Sequence, residues 1–137
     1  AQALGRVCRA RGLELWVAGD VRLALLVAAD GIHFPDSSVP RSGAWRRPKS
    51  NMRVTAAAHS KPALVRAVSA GVDAVFLSPV FDTGSHPGAP TLGAVRFAGL
   101  VRECRLPVYA LGGINSVTAR SLSQSGAVGV AAISAFC

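Results

Sequence analysis

Short apolar runs recur along this chain at a nearly constant interval, and that interval limits the folds open to it. The runs are residues 13–17, 31–34, 53–57, 74–77, 107–111 and 129–133. Their starts lie about 18 to 22 residues apart, with one longer gap after Leu77. Each run is too short and too evenly apolar to be a strand with one face in water, which would alternate polar and apolar residues. Strands of this kind are buried on both faces, and each interval leaves room for a covering helix. The repeat is that of βα units in a parallel sheet.

Helical punctuation falls in the intervals. Asp20 suits the N-cap of a helix over 21–28. Ser60 suits the N-cap of one over 61–70, with Pro62 tolerated in the first turn and Gly71 just past the end. Asn115 or Ser116 opens a segment that Gly126 closes, and residues 1–11 read as a helix with no strand before it. Two parallel architectures fit, a barrel and a doubly wound open sheet. No GxGxxG follows the first strand, which counts against a dinucleotide-binding sheet. About six βα units are present where a closed barrel needs eight. The expectation is an α/β fold, an incomplete TIM (β/α)8 barrel forming a single partial domain over 1–137, without its first two strands and its last helix. Residues 35–51, rich in Pro, Ser and Arg, are expected to be poorly ordered.

Composition narrows the function classes. Half of the chain is hydrophobic but aromatics are few, so the core must come mainly from Ala, Val and Leu. No run approaches the roughly 18–20 apolar residues that cross a bilayer, and nothing resembles a secretory signal, so a cytoplasmic location without a membrane partner is expected. Cys8, Cys104 and Cys137 are far apart and form no CxxC pair, which points to reduced thiols rather than a zinc site or disulfides. The formal charge of +8, nearly all of it arginine, suits small phosphorylated substrates. The arginines are scattered apart from Arg41, Arg46 and Arg47 and are not interleaved with aromatics, so nucleic acid is not an expected partner. The oligomeric state is not written in the sequence.

In a parallel barrel, functional groups gather just beyond the C-terminal ends of the strands. Here those positions hold Asp20, His33 with Asp36, His59 with Ser60, the stretch 79–93, the stretch 112–115, and Ile133-Ser134. Gly112-Gly113 matters most, because two glycines after a buried strand let backbone N–H groups approach an anion with no Cβ in the way. A tight turn needing positive φ is the plainer alternative for the pair alone. Ile133-Ser134 adds a second donor cluster on the next strand, and such loops on consecutive late strands are the usual phosphate site of this fold. The stretch 79–92 exceeds the usual 2–6-residue βα connection, and long loops of this kind tend to be functional.

Several runs together carry a specific resemblance. Gly31-Ile32-His33, Ala58-His59-Ser60, Gly71-Val72-Asp73, the run from Leu77-Ser78-Pro79 to Asp82-Thr83, Leu92-Gly93, Ala110-Leu111-Gly112-Gly113-Ile114, and Gly126-Ala127 through Ile133-Ser134 occur in that order. In order and spacing they are similar to thiamine phosphate synthases and the related thiazole tautomerases. The resemblance implies an enzyme of thiamine biosynthesis, a transferase that couples a hydroxymethylpyrimidine pyrophosphate to a thiazole phosphate and releases pyrophosphate, with Mg2+ as cofactor. It assigns the thiazole phosphate to Thr83, Ser85, Gly112, Gly113, Ile133 and Ser134, with His86 at a position where the family has a lysine. It assigns the metal to Asp20, with its family neighbour Asn replaced by Gly19. The second metal carboxylate falls on Ser38, five residues after His33, and Asp36 is the nearby substitute. The family serine two residues before the histidine matched by His59 is Ala57. A histidine at the place of His59 resembles the general acid/base of the tautomerases, so a tautomerase using His59, or a non-catalytic homologue binding a thiazole or thiamine phosphate, are the alternative readings.

Overall fold

The computed structural model describes residues 2–41, 45–84 and 88–132. Among the described residues, six strands form one sheet: β1 (Trp16–Ala18), β2 (Gly31–Phe34), β3 (Arg53–Ala58), β4 (Ala74–Leu77), β5 (Val108–Ala110) and β6 (Gly129–Val130). Every neighbouring pair is parallel and the spatial order is β1-β2-β3-β4-β5-β6. A doubly wound sheet reverses its strand order at a switch point. No reversal occurs here, so the strands trace an unclosed barrel wall, as the βα spacing predicts.

Side-chain alternation separates the two faces of this wall. Ile32, Phe34, Val54, Ala56, Ala58, Val75, Leu77, Val108 and Ala110 are buried in one core with Leu64 and Ala67 of α3 (Lys61–Ala70) and Phe97 and Leu100 of α4 (Gly93–Glu103). The intervening residues Trp16, Thr55, Phe76 and Tyr109 line a groove of about 460 Å³ on the other face. Its aromatic rings need glycine beneath them. A Cβ on Gly129 would come within 2.9 Å of the Tyr109 ring, and one on Gly31 would strike the Trp16 ring.

Caps account for the helices and for what the spacing misses. Asp20 caps α2 (Val21–Leu26) and Ser60 caps α3, each accepting from the backbone N–H three residues on. Gly71 closes α3 at φ 70°, a left-handed conformation that glycine adopts without a Cβ penalty. The N-cap of α4, the helix after β4, is Leu92, which makes no side-chain cap, so no polar punctuation marks the start of the helix. The helix expected up to Gly126 is shorter, α5 (Ser116–Arg120). There Ser121 Oγ donates to Thr118 O at 2.7 Å and Ser125 Oγ to Leu122 O at 2.7 Å. Serine hydroxyls that bond back to local carbonyls compete with continued helix. The helix α1 (Gln2–Ala10) precedes β1 as expected.

The segment between β2 and β3 departs most from expectation. A 3-10 turn at Asp36–Ser38 follows β2. Residues 45–52 are then tied to the lower end of the wall. Trp45 Nε1 donates to Ala70 O at 3.1 Å, and its ring meets Phe34 edge-on at 5.3 Å. Arg47 grips Asp73 with both terminal nitrogens, at 2.9 and 2.8 Å, and also donates to Met52 O and Gly71 O. Asp73 in turn accepts from Val54 N–H at 2.7 Å. Burial pushes the Asp73 carboxyl up, but the hydrogen bonds from Arg47 and Val54 and the Arg47 charge outweigh it and leave the group below its ordinary value. A stretch that reads as poorly ordered thus docks through contacts to residues about 25 positions away.

Candidate active site

The rim at the C-terminal strand ends is assembled by strand register. Ala58 pairs with Leu77, so the next residues, His59 and Ser78, stand side by side, and Ser78 N–H donates to Ala58 O at 3.0 Å. His59 is exposed, while Ser78 is buried. Nδ1 of His59 lies 2.9 Å from Ser78 O and 3.2 Å from Ser78 Oγ.

One strand further on, the loop after β5 is pressed against the loop after β4. Val80 N–H donates to Leu111 O and Phe81 N–H to Gly112 O, both at 3.0 Å. Gly112 and Gly113 have φ of 93° and 65°. A Cβ on Gly112 would sit 2.8 Å from Pro79 Cα, and one on Gly113 would meet Asp82 O as well as Phe81 C at 2.8 Å. The glycine pair therefore serves both a positive-φ turn and a close backbone approach.

The distribution of hydrogen bonds around this turn decides what it can offer a ligand. Thr118 Oγ1 donates to Gly113 O at 2.9 Å, so the carbonyls of both glycines are engaged. Asn115 Oδ1 accepts from the N–H groups of Val117 and Thr118, and Asn115 N–H donates to Thr118 Oγ1. The start of α5 is thus already capped. Among the described residues, the N–H groups of Gly112 and Gly113 have no acceptor. Two backbone donors left over on half-buried glycines at a strand end are the kind of group that can hydrogen-bond an anion. Thr83 follows directly on Asp82, whose carbonyl faces Gly113. The other residues assigned to the phosphate, Ser85, His86, Ile133 and Ser134, lie outside the described residues.

The acidic side of the rim is differently placed. Asp20 Oδ1 accepts from Leu23 N–H at 2.9 Å as the cap of α2, which leaves Oδ2 at the exposed end of β1. Asp36 is paired with Arg66 of α3, and Ser38 Oγ donates to Pro35 O at 3.1 Å. Among the described residues, no three His, Cys, Asp or Glu side chains gather as a metal cage. Asp20 is the carboxylate suited to a cation here, since magnesium is commonly held by one or two carboxylates plus substrate phosphates. Asp36 would first have to give up Arg66. Neither Arg66 nor Ser78 stands out in the sequence, because each acquires its role from a residue at least 19 positions away.

His33 belongs to the interior. Its Nδ1 lies 2.9 Å from Thr55 Oγ1 and its ring stands edge-on to Phe76 at 5.4 Å. Desolvation by burial holds its imidazole below the ordinary histidine range. A histidine depressed on folding contributes stability above its unfolded pKa, about 6.5, and loses that stability as pH falls towards its folded value. Urea midpoints taken at about pH 7.5 and 5 should therefore fall more for the wild type than for His33→Gln; equal drops would remove His33 from the acid response.

A parallel wall in consecutive strand order, with a glycine-pair turn and a histidine at its C-terminal strand ends, defines an α/β protein of the (β/α)8-barrel class. The comparisons name the family. A profile for thiamine monophosphate synthase matches residues 1–136. The chain is 37% identical over 137 residues to thiamine-phosphate synthase of Roseiflexus sp. (strain RS-1), covering 98% of this chain and 57% of that protein. It is 34% identical over 143 residues to thiamine-phosphate synthase of Geobacillus kaustophilus (strain HTA426), covering 98% of this chain and 62% of the relative. Among solved structures, thiamine phosphate pyrophosphorylase from Pyrococcus furiosus superposes with a TM-score of 0.77 at 27% identity, over 96% of this chain and 62% of that one. This chain belongs to the thiamine monophosphate synthase family. It spans about six tenths of the length of these relatives. No helix among the described residues is long and apolar enough to cross a membrane.

Proposed function

We propose that the protein carrying this chain is a thiamine phosphate synthase, joining a hydroxymethylpyrimidine pyrophosphate to a thiazole phosphate. The observation that carries this reading is the pair of unused N–H groups at Gly112 and Gly113, on a turn whose carbonyls are already bonded. They suit the dianionic phosphate of the thiazole, and Thr83, Ser85, Ile133 and Ser134 would add donors around it. Held by its phosphate, the thiazole keeps its ring nitrogen free. That nitrogen forms a C–N bond to the pyrimidine methylene carbon as the C–O bond to pyrophosphate breaks, and the bonding pair leaves with pyrophosphate. Backbone donors fixed before the reaction orient the nucleophile at no cost in reorganisation.

Magnesium, held by Asp20 together with the pyrophosphate, would neutralise charge on the leaving group. Asp36 is a second ligand only if Arg66 releases it, and Arg66 would then face the same anion. The substrates are small phosphorylated molecules, and a cytoplasmic setting accords with that chemistry.

A second reading, thiazole tautomerase, draws on a separate observation: the His59 ring is anchored through Nδ1, leaving Nε2 for proton transfer. The test uses the full-length protein with both substrates and magnesium. Equimolar thiamine phosphate and pyrophosphate support the synthase; isomerisation of the thiazole carboxylate phosphate without coupling supports the tautomerase; saturable binding with neither reaction leaves a binding protein.

A further inference from the structure

We propose that Ser78 is the positioning residue for His59, and that it fixes the histidine as a hydrogen-bond acceptor towards whatever the rim binds. The proposal rests on the reading of this rim as a ligand site, but its first measurement does not depend on any activity.

A carbonyl oxygen only accepts, so the 2.9 Å contact between Ser78 O and His59 Nδ1 requires a proton on Nδ1. In a neutral imidazole the second nitrogen, Nε2, then carries a lone pair and no proton. Ser78 Oγ, 3.2 Å from the same Nδ1, is a second acceptor for that proton. Its own hydroxyl proton has no acceptor among the described residues, and Ser78 is only 7% exposed. One residue thus presents two oxygens to one ring nitrogen, through a part-buried contact that water competes for poorly.

The fold makes this arrangement rigid. Ser78 N–H is bonded to Ala58 O, and Ala58 and Leu77 are both fully buried. His59 and Ser78 are therefore held by the paired ends of β3 and β4, while the imidazole itself projects to the exposed rim. The next residues of the Ser78 strand, Pro79 to Asp82, are those packed against Gly112 and Gly113. The same short stretch thus sets the ring of His59 and walls the anion cradle. A phosphorylated ligand seated on the glycine amides would meet the Nε2 lone pair, so His59 would take a proton or a hydrogen bond from the ligand first and give one back later.

The test is ring-nitrogen NMR of His59 in the full-length 15N-labelled protein, at a pH where the imidazole is neutral. The expected result is a protonated, pyrrole-type Nδ1 and an unprotonated, pyridine-type Nε2. A predominantly Nε2-protonated ring, or the mixture shown by free histidine, would overturn the proposal. In Ser78→Ala the carbonyl stays and the hydroxyl is lost, so the Nδ1-protonated form should lose ground to the other tautomer while the remaining amide spectrum is kept. Where turnover is measurable, kcat should fall about threefold to tenfold, a cost of roughly one hydrogen bond, with little change in KM. An unchanged tautomer ratio with unchanged kcat would show that the hydroxyl positions nothing. If instead the tautomer is as expected but His59→Ala retains full activity, the positioning stands and the proton-transfer role of His59 fails.

Discussion

Gly113→Ala should lower the unfolding free energy by about 2–4 kcal/mol and, with the proposed synthase activity, raise KM for the thiazole phosphate at least tenfold. Two costs add at this position. The backbone sits at φ 65°, which L side chains rarely adopt, and the new Cβ would press into Asp82 O and the backbone of Phe81. Relief requires the two loops to separate, which moves the amides proposed to hold the phosphate. Gly71→Ala is the control, since φ there is 70° but no atom lies within 4 Å of the added Cβ. It should cost only about 1 kcal/mol and leave KM unchanged. Equal effects of the two substitutions, in urea unfolding and in KM, would show that the close approach at Gly113 carries no weight.

The second large effect lies at the opposite end of the wall. Asp73→Ala should destabilise the protein by about 3 kcal/mol, because it strands the Val54 N–H and frees the Arg47 fork at once. The carboxyl's depressed pKa means this stabilisation is present above the ordinary carboxylate range and is lost as pH falls through the lower folded value. The Lys61–Glu103 pair offers the contrast. Its side chains are 66% and 58% exposed, and Lys61→Ala should change stability by no more than about 0.5 kcal/mol. Urea unfolding of both variants at neutral pH checks the difference, and comparable small losses would mean that residues 45–52 are not held by Asp73.

These two positions also show what the sequence could and could not reveal. Gly112-Gly113 is legible because the strand before it is a compact apolar run and glycine pairs report local backbone needs. The strands themselves are legible for the same reason, though β1 begins three residues later than its apolar run. The docking of 45–52 is not, since Trp45 and Arg47 find partners on α3 and before β4 that no local pattern announces. Arg47 reads as one of a small basic group, but its guanidinium is spent inside the fold. Asp36 reads as a substitute metal ligand, and only the tertiary arrangement sets it against Arg66. For α4 the missing signal is simpler: Leu92 offers no polar cap.

The proposed synthase reading has the amides of Gly112 and Gly113 hold the phosphate of the thiazole. Amide NMR of the full-length 15N-labelled protein, titrated with the thiazole phosphate and separately with the unphosphorylated thiazole alcohol, tests it directly. Saturable shifts at both glycine N–H groups are expected with the phosphate, and little change there with the alcohol. Saturable binding of the phosphate that leaves both glycine amides unmoved would contradict it.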